Sequence, residues 1–529
     1  TTTAYSEERL EVLATPSTRL NNLPGDYSTD AIVNHVLRLR EAGAAGLEVP
    51  TVCMAGYQTT THKNDAQLYI DREYFLDGIF PAIRDAKDSI HIAMLSFDGG
   101  RVGQYTADLL IEKKTQNPDL EVRVILDSLG SQALFPWGAT QKNVRKMRAA
   151  GIEVVVNSFF KEGMEHRKSV IIDSQKAFIS GTCLADQYFA NESYWDAFDN
   201  VVKEQGLDAA RQGAFLPTSE RLNSFDITPD MAIPEFADFG VSFEGPTVNN
   251  LQASFLQSWC KHDQPLDPEL SDQEVVAKYF PPLPPSGSMP VKMNHGIPWG
   301  PGEMQQTILS IIEGAQDTLD IEMAYIHIPE FSAALAKAAK RGVDIRMITN
   351  SQDGIDLEFS WHVNRQFYPE LLKAGVRIFE LDHYSHRKFI VADKRVVFTS
   401  TGNPEWNSWE RGWDEIALID SRAFAKEIED RVLARGRSPE HGHEVSLEEL
   451  AQESLWTRIK SAIFVFLFNS IARLYRWMVN PHLATERRRQ YVTRSKAPHL
   501  SVLRSSSFTS LSTTNPAPLS LPAPPSSTS

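Results

Sequence analysis

Four stretches with the same alternation of apolar and polar positions occur twice along the chain, in the same order. "AIRDAKDSIHIAMLSF" (82–97) and "IIEGAQDTLDIEMAYI" (311–326) each read as the end of an amphipathic helix running into a strand. "LEVRVILDSLGS" (120–131) and "VDIRMITNSQDG" (343–354) are buried-type strands that end in polar turns. "KMRAAGIEVVV" (146–156) and "LLKAGVRIFEL" (371–381) give a helix, a glycine at its carboxyl cap and a further strand. The fourth pair is "HRKSVIID" (166–173) and "HRKFIVAD" (386–393), strand-like after the lysine. Four matched elements in one order predict a duplicated α/β domain: two mixed sheets flanked by helices and related by pseudo-twofold symmetry.

The 529 residues exceed one ordinary core, in keeping with two domains. The expected divisions are an N-terminal extension (1–68), a first domain (69–260) with extra sequence at about 184–237, a proline-rich linker (261–301) and a second domain (302–436). A C-terminal amphipathic and basic segment (437–504) and a disordered tail (505–529) follow. The extension is expected to hold one helix around "TDAIVNHVLRLREAG", and the 184–237 insertion is expected to act as a lid or substrate wall.

In "LWTRIKSAIFVFLFNSIARLYRWMV" (455–479), Trp456, Ile459, Ile463, Leu467, Ile471, Leu474 and Met478 fall on one helical face. The continuous apolar run, Ala462 to Phe468, is too short to cross a bilayer. Two readings stay open: a helix in the membrane interface, or one packed on the globular body. Charge bears on this choice. From Trp456 onward ten Lys or Arg face the single acid Glu486, so that part carries +9 of a total of −15, and residues 1–455 carry −24. So acidic a body is ill suited to long nucleic acid, whereas the basic end, about 456–496, suits an anionic membrane surface. Cys53, Cys183 and Cys260 are too few for a disulfide framework and wrongly spaced for zinc. The first twenty residues have neither a basic start nor an apolar core of a signal, which leaves the compartment open, as is the oligomeric state.

On a strand, His166 and Lys168 project to one face, and so do His386 and Lys388. An imidazole beside an ammonium is a poor metal site and a good phosphate site: the lysine holds oxygens while the imidazole attacks phosphorus or moves a proton. One histidine cannot be nucleophile and initial acid at once. Two copies brought together supply both, with no metal or cofactor expected. Asp173 and Asp393 end their strands, where a turn or capping role competes with a supporting role in catalysis.

The doubled pattern H-x-K-x4-D resembles the phospholipase D superfamily. Its members typically continue six residues after the Asp with G-[ST]-x-N. The second copy, "HRKFIVADKRVVFTSTGN", places Asn403 there, and the first, "HRKSVIIDSQKAFISGTC", places Cys183 where the Asn is expected. The resemblance implies that Lys168, Lys388 and Asn403 bind phosphoryl oxygens, with Thr182 as a substitute on the Cys183 side. It also implies an acid downstream of each motif, orienting the histidine of its own half: Asp238 in the first half, and Glu415 in the second with Asp414 as the fallback. "ADFGVSFEGPTVNNLQASFLQSW" resembles a segment of cardiolipin synthase-like members.

The activity so implied is a two-step exchange on a glycerophospholipid phosphodiester. His166 forms a phosphohistidine, and His386 protonates the leaving alcohol before activating water or a second alcohol. The acceptor and headgroup stay open, as does which histidine is the nucleophile. A nuclease of the same superfamily and a non-catalytic lipid- or phosphate-binding protein are the alternatives. Cardiolipin synthases of this superfamily usually carry amino-terminal membrane helices, which are not seen in this sequence.

Overall fold

The computed structural model describes residues 59–470 except 133–137, 160–162, 216–230, 232, 263, 265, 297 and 299–302, and, before them, residues 33, 36, 37 and 40. Those four early positions are helical, inside the helix expected around 29–43. The tail 505–529 and the basic residues from Arg473 onward lie outside the described residues.

Among the described residues there are sixteen strands. In chain order the first half holds β1 (Thr59–Ile70), β2 (Ser89–Met94), β3 (Glu121–Asp127), β4 (Glu153–Asn157), β5 (Met164–Glu165), β6 (Lys168–Ile172), β7 (Lys176–Ser180) and β8 (Phe239–Glu244). The second holds β9 (Met289–Gly296), β10 (Thr318–Met323), β11 (Asp344–Asn350), β12 (Arg377–Leu381), β13 (Lys388–Ala392), β14 (Val396–Ser400), β15 (Gly412–Asp420) and β16 (Gly442–Glu444). Their order is β4-β3-β2-β6-β7-β8-β1-β9-β15-β14-β13-β10-β11-β12-β16, with β5 paired to β15. Read from its middle the order is palindromic: β8-β7-β6-β2-β3-β4 on one side matches β15-β14-β13-β10-β11-β12 on the other. In each half three strands are parallel and the rest antiparallel, so both sheets are mixed.

The two sheets meet through β1. Residues Asp65–Ile70 pair with β8, and Thr59–Thr61 and Asn64 pair with β9 across a bulge. Sheet structure thus begins within the 1–68 stretch. The 261–301 stretch likewise contributes the helix Asp272–Tyr279 and the central strand β9. Each half packs its own core, around Phe80, Ile92 and Phe178 in the first and Ile308, Ile321 and Phe398 in the second. A third core is shared, with Val241, Trp259, Phe389, Val397 and Trp413 in one cluster. It holds the two halves together.

The motif aspartates explain the hairpins. Asp173 and Ser174 have φ of 53° and 53°, and Asp393 and Lys394 have 51° and 52°. Two consecutive left-handed residues make a primed turn, closed by the Gln175 N–H to Ile172 O at 2.9 Å and the Arg395 N–H to Ala392 O at 3.0 Å, and Asp tolerates that conformation well. The Asp173 carboxylate also accepts the backbone N–H groups of Lys87, Asp88 and Ser89, at 3.1, 2.7 and 2.9 Å. Asp393 does the same for Gln316, Asp317 and Thr318, at 3.1, 2.7 and 3.0 Å. Placed with the catalytic residues from sequence, both instead stand five strand positions beyond their lysines, about 17 Å at the usual rise. They fix hairpins and strand starts.

Residues 455–470 form a helix that packs one side on the second half. Ser461 bonds His362 at 2.7 Å, and the Phe464 and Phe468 rings lie 5.0 Å from those of His362 and His327. The opposite side is open: Leu455, Trp456, Ile459, Ile463, Phe466 and Leu467 are exposed, Trp456 by 72% and Phe466 by 68%. The packed side agrees with the reading of a helix on the globular body, and the other side is apolar and exposed. Among the described residues no helix is long and apolar enough to cross a membrane.

Candidate active site

The site is built by exchange between the halves. β5, just before His166, pairs with Gly412 and Trp413 of β15, and the His166 N–H donates to Trp413 O at 3.1 Å. In the other half Ser385 bridges to Ala237, and the His386 N–H donates to Ala237 O at 2.8 Å. The residue after each of these acceptors is an aspartate. Asp414 therefore reaches His166 Nδ1 at 2.8 Å, and Asp238 reaches His386 Nδ1 at 2.9 Å. Each histidine is held by the acid of the other half, not of its own.

This corrects two sequence-based assignments. Asp238 does bond a motif histidine, but it is His386 and not the histidine of its own half. In the second half that position belongs to Asp414, the fallback, and not to Glu415. Neighbours on a strand point to opposite faces. Glu415 accordingly turns away, accepting a hydrogen bond from Ser254 at 2.7 Å, pairing with His295 and lying 3.8 Å from the buried Arg167. It belongs to a buried cluster with Ser254, His295 and Arg167. The register of "AD" (237–238) against "WD" (413–414) is the sequence signal for Asp414.

Glycine makes these approaches possible. A Cβ on Gly181 would fall 2.0 Å from Asp238 Oδ1, and one on Gly402 would fall 2.7 Å from the Asp414 carboxyl. Thr401 donates to Asp414 Oδ1 at 2.7 Å, adding a second donor to the carboxylate that holds His166.

Both lysines are fully buried, tethered by the carbonyl oxygens before them. Lys168 donates to His166 O at 2.9 Å and to Thr401 O of the other half at 3.2 Å, and Lys388 donates to His386 O. Asn403 is buried, and its side-chain oxygen has no hydrogen-bond partner among the described residues. Cys183 occupies the equivalent position opposite, buried, with its thiol pushed up by burial and within hydrogen-bonding reach of Tyr188. Thr182 does not take the place of the missing amide: its hydroxyl donates to Phe239 O at 3.3 Å.

Burial and the lysine charges set the protonation states. His166 is lowered to about 4, first by burial and then by Lys168, against the pull of Asp414. His386 is pushed well below the usual imidazole range by burial and both lysines. For Asp414, burial works upward, but His166, Lys168 and Thr401 outweigh it and hold the carboxyl below its usual range. Asp238 is raised to about 7 by burial, with Lys388 opposing. Lys388 is lowered to about 8 by burial. At neutral pH, His166 is thus a neutral imidazole whose Nδ1–H donates to an ionised Asp414, leaving Nε2 with its lone pair.

Arg167 and Arg387, the middle residues of the two motifs, buttress this arrangement. Arg167 pairs with Glu165 at 2.5 Å, and Arg387 pairs with Asp71 at 2.6 Å. Around His386 stand Tyr188, Tyr325 and Tyr384, none of which the sequence had marked. Among the described residues, one group with metal-ligating chemistry is present: Asp382, His383 and His441, with ligand atoms within 4.8 Å of one another. It lies at the surface beside β16, apart from the histidine pair.

A family described as "Cardiolipin synthase, PLD-like domain" matches residues 79–196 and 308–434, one span in each half. The chain belongs to the phospholipase D superfamily and is an enzyme of the phospholipase D type. It is similar to a cardiolipin synthase of Clostridium perfringens, 24% identical over 77% of this chain and 76% of that one. A cardiolipin synthase of Listeria monocytogenes is 24% identical over 76% and 74%. Among solved structures, a phosphatidylserine synthase from Haemophilus influenzae Rd KW20 shares the fold, with a TM-score of 0.54 and 14% identity over 83% of this chain and 98% of that one.

Proposed function

We propose that the protein is a phosphodiesterase or phosphatidyltransferase acting on glycerophospholipids through a phosphohistidine. The observation that carries this reading is the crosswise pair of buried imidazoles, each held by a carboxylate and flanked by a lysine. Similarity to cardiolipin synthases supports the lipid substrate.

His166 Nε2 attacks phosphorus while the bond to the alcohol oxygen breaks, and His386 gives its proton to that oxygen. For this His386 must be charged, and the incoming phosphate anion favours that by offsetting the two lysines that depress it. Neutral His386 then takes a proton from water or a second alcohol, whose oxygen attacks phosphorus and displaces His166. Lys168, Lys388 and Asn403 hold the phosphoryl oxygens as charge develops. The test incubates purified protein with phosphatidylcholine, phosphatidylglycerol and single-stranded DNA. Lipid turnover is expected, and DNA cleavage without any lipid product would replace this reading with that of a nuclease.

The same groups set the pH dependence. Below about 4 His166 gains a proton and loses its lone pair, and above about 8 Lys388 loses its charge and its hold on phosphate. Turnover should therefore fall on both sides of this window. A Lys388→Arg variant, slower through altered geometry, should carry its alkaline limb upward, because guanidinium keeps its charge. An unmoved limb would assign it to another group.

The open face of the 455–470 helix supports docking on a membrane. Trp456 and Phe466 each stand to bury about 2 kcal/mol of apolar surface. Replacing both by Ser should weaken binding to anionic vesicles on the order of 10³-fold, measured by sedimentation. Unchanged binding would remove this helix from the membrane contact.

A further inference from the structure

Two imidazoles and a carboxylate come together where β12 leaves its sheet. β12 pairs with β16 antiparallel, and Leu381 stands opposite Gly442. One step further along both strands Asp382 and His441 are opposed, and the Asp382 N–H donates to His441 O at 3.1 Å. In an antiparallel pair, opposed residues turn their side chains to one face. His383 comes next and folds back on the same carboxylate, its Nδ1 lying 2.8 Å from Asp382 Oδ1. The rings of His383 and His441 stand 6.1 Å apart at 90°. One ligand atom from each of the three residues lies within 4.8 Å of the other two.

The backbone under this group is fixed on both arms. The N–H groups of His441 and Gly442 both donate to Ser438 O, at 3.1 and 2.8 Å, which closes a tight turn into β16. On the other arm, a Cβ on Gly354 would fall 2.9 Å from Leu381 O and 3.1 Å from the His383 carbonyl carbon, so the neighbouring loop packs directly against it. Two nearby cationic or basic groups have partners elsewhere. Arg437 pairs with Asp320 at 3.0 Å and with Glu429, and His443 bonds Glu449 at 2.7 Å. The ligand side chains can still turn, because those of Asp382 and His383 are 62% and 35% exposed. A surface cleft lined in part by Asp382, Glu440 and His441 opens beside them.

Two imidazoles with one carboxylate suit a borderline ion such as zinc, whereas calcium and magnesium ask for oxygen donors throughout. Zinc held by three protein groups keeps its fourth position for water, which the cleft admits. Ligands of one tetrahedral zinc stand about 3.4 Å apart, so closure takes about 1 Å of movement from exposed side chains. An ion here ties β12 to β16 three residues before His386. Ser385, in between, is already held by Asn350 at 2.8 and 2.9 Å. The ion adds a clasp to the segment that carries a catalytic histidine and stands outside the reaction itself.

We propose that Asp382, His383 and His441 bind a zinc ion that clasps β12 to β16. Calorimetric titration of the tag-free full chain, first stripped with a chelator, should show one zinc ion taken up per chain. His383→Ala and His441→Ala should each weaken that binding by about 10²-fold or more. His443→Ala removes a neighbouring imidazole outside the trio and should bind zinc as the parent does. Zinc should raise the unfolding temperature of the parent and of His443→Ala but not of the other two, because an ion held only by the folded chain stabilises it. Unfolding in chelator checks that each variant folds. No zinc uptake by the parent in micromolar titration overturns the site, and so does tight uptake that His383→Ala and His441→Ala both retain. Displacement of zinc by an equal concentration of calcium or magnesium contradicts the donor chemistry. None of these readouts depends on turnover, so failure of the lipid assay leaves the site untouched.

Discussion

Replacing His166 by Asn should lower phospholipid turnover by roughly 10⁴-fold or more, because the atom that bonds to phosphorus is gone. Lys168, Lys388 and Asn403 stay in place, so substrate should still bind, and the loss should fall on kcat rather than on KM. The buried Asp414 loses its imidazole partner but keeps the Thr401 hydroxyl at 2.7 Å and can accept from the new amide. The melting temperature should therefore change by only a few degrees. Steady-state kinetics on mixed vesicles together with thermal unfolding separate the two effects. Retained turnover in a folded His166→Asn protein would remove His166 from the reaction.

The second large effect separates two adjacent acids. Asp414→Asn should cost on the order of 10³-fold in kcat. An amide beside His166 Nδ1 can turn its NH₂ toward the ring, which moves the imidazole proton to Nε2 and blocks the attacking lone pair. Glu415→Gln should instead act on stability. Its carboxylate closes a buried cluster of Arg167, His295 and Ser254, and loss of that charge should destabilise the fold by about 1–3 kcal/mol with kcat within an order of magnitude of the parent. The opposite pattern, with activity lost in Glu415→Gln and kept in Asp414→Asn, would return the orienting role to Glu415.

That pair of residues also marks how far the sequence is legible. The repeat was visible because buried strands and amphipathic helices carry periodic apolar positions, and the structure matches six strands of each half in order. The crosswise hold was not visible. A repeat tells which residues are equivalent, but not which half's equivalent is touched when the two copies pack. β1 and β9 were hidden for another reason. Buried Asn64, Lys292, Asn294 and His295 interrupt their apolar pattern, and these polar groups are turned to inner partners, such as Thr307 for Asn294. The motif aspartates look catalytic because they recur at fixed spacing, but a primed turn demands fixed spacing as well. The tyrosines around His386 come from a short 3₁₀ helix (Asp186–Tyr188) and two separate loops, so no local pattern could join them.

The division of labour between the histidines is tested most directly with a p-nitrophenyl phosphodiester, whose leaving group needs no proton. The His386→Asn protein should release one equivalent of p-nitrophenolate in a burst and then stall, with the phosphoryl group on His166 detectable by mass spectrometry. The His166→Asn protein should give no burst. A burst from His166→Asn with phosphorus on His386, or no covalent adduct in either variant, would contradict the account.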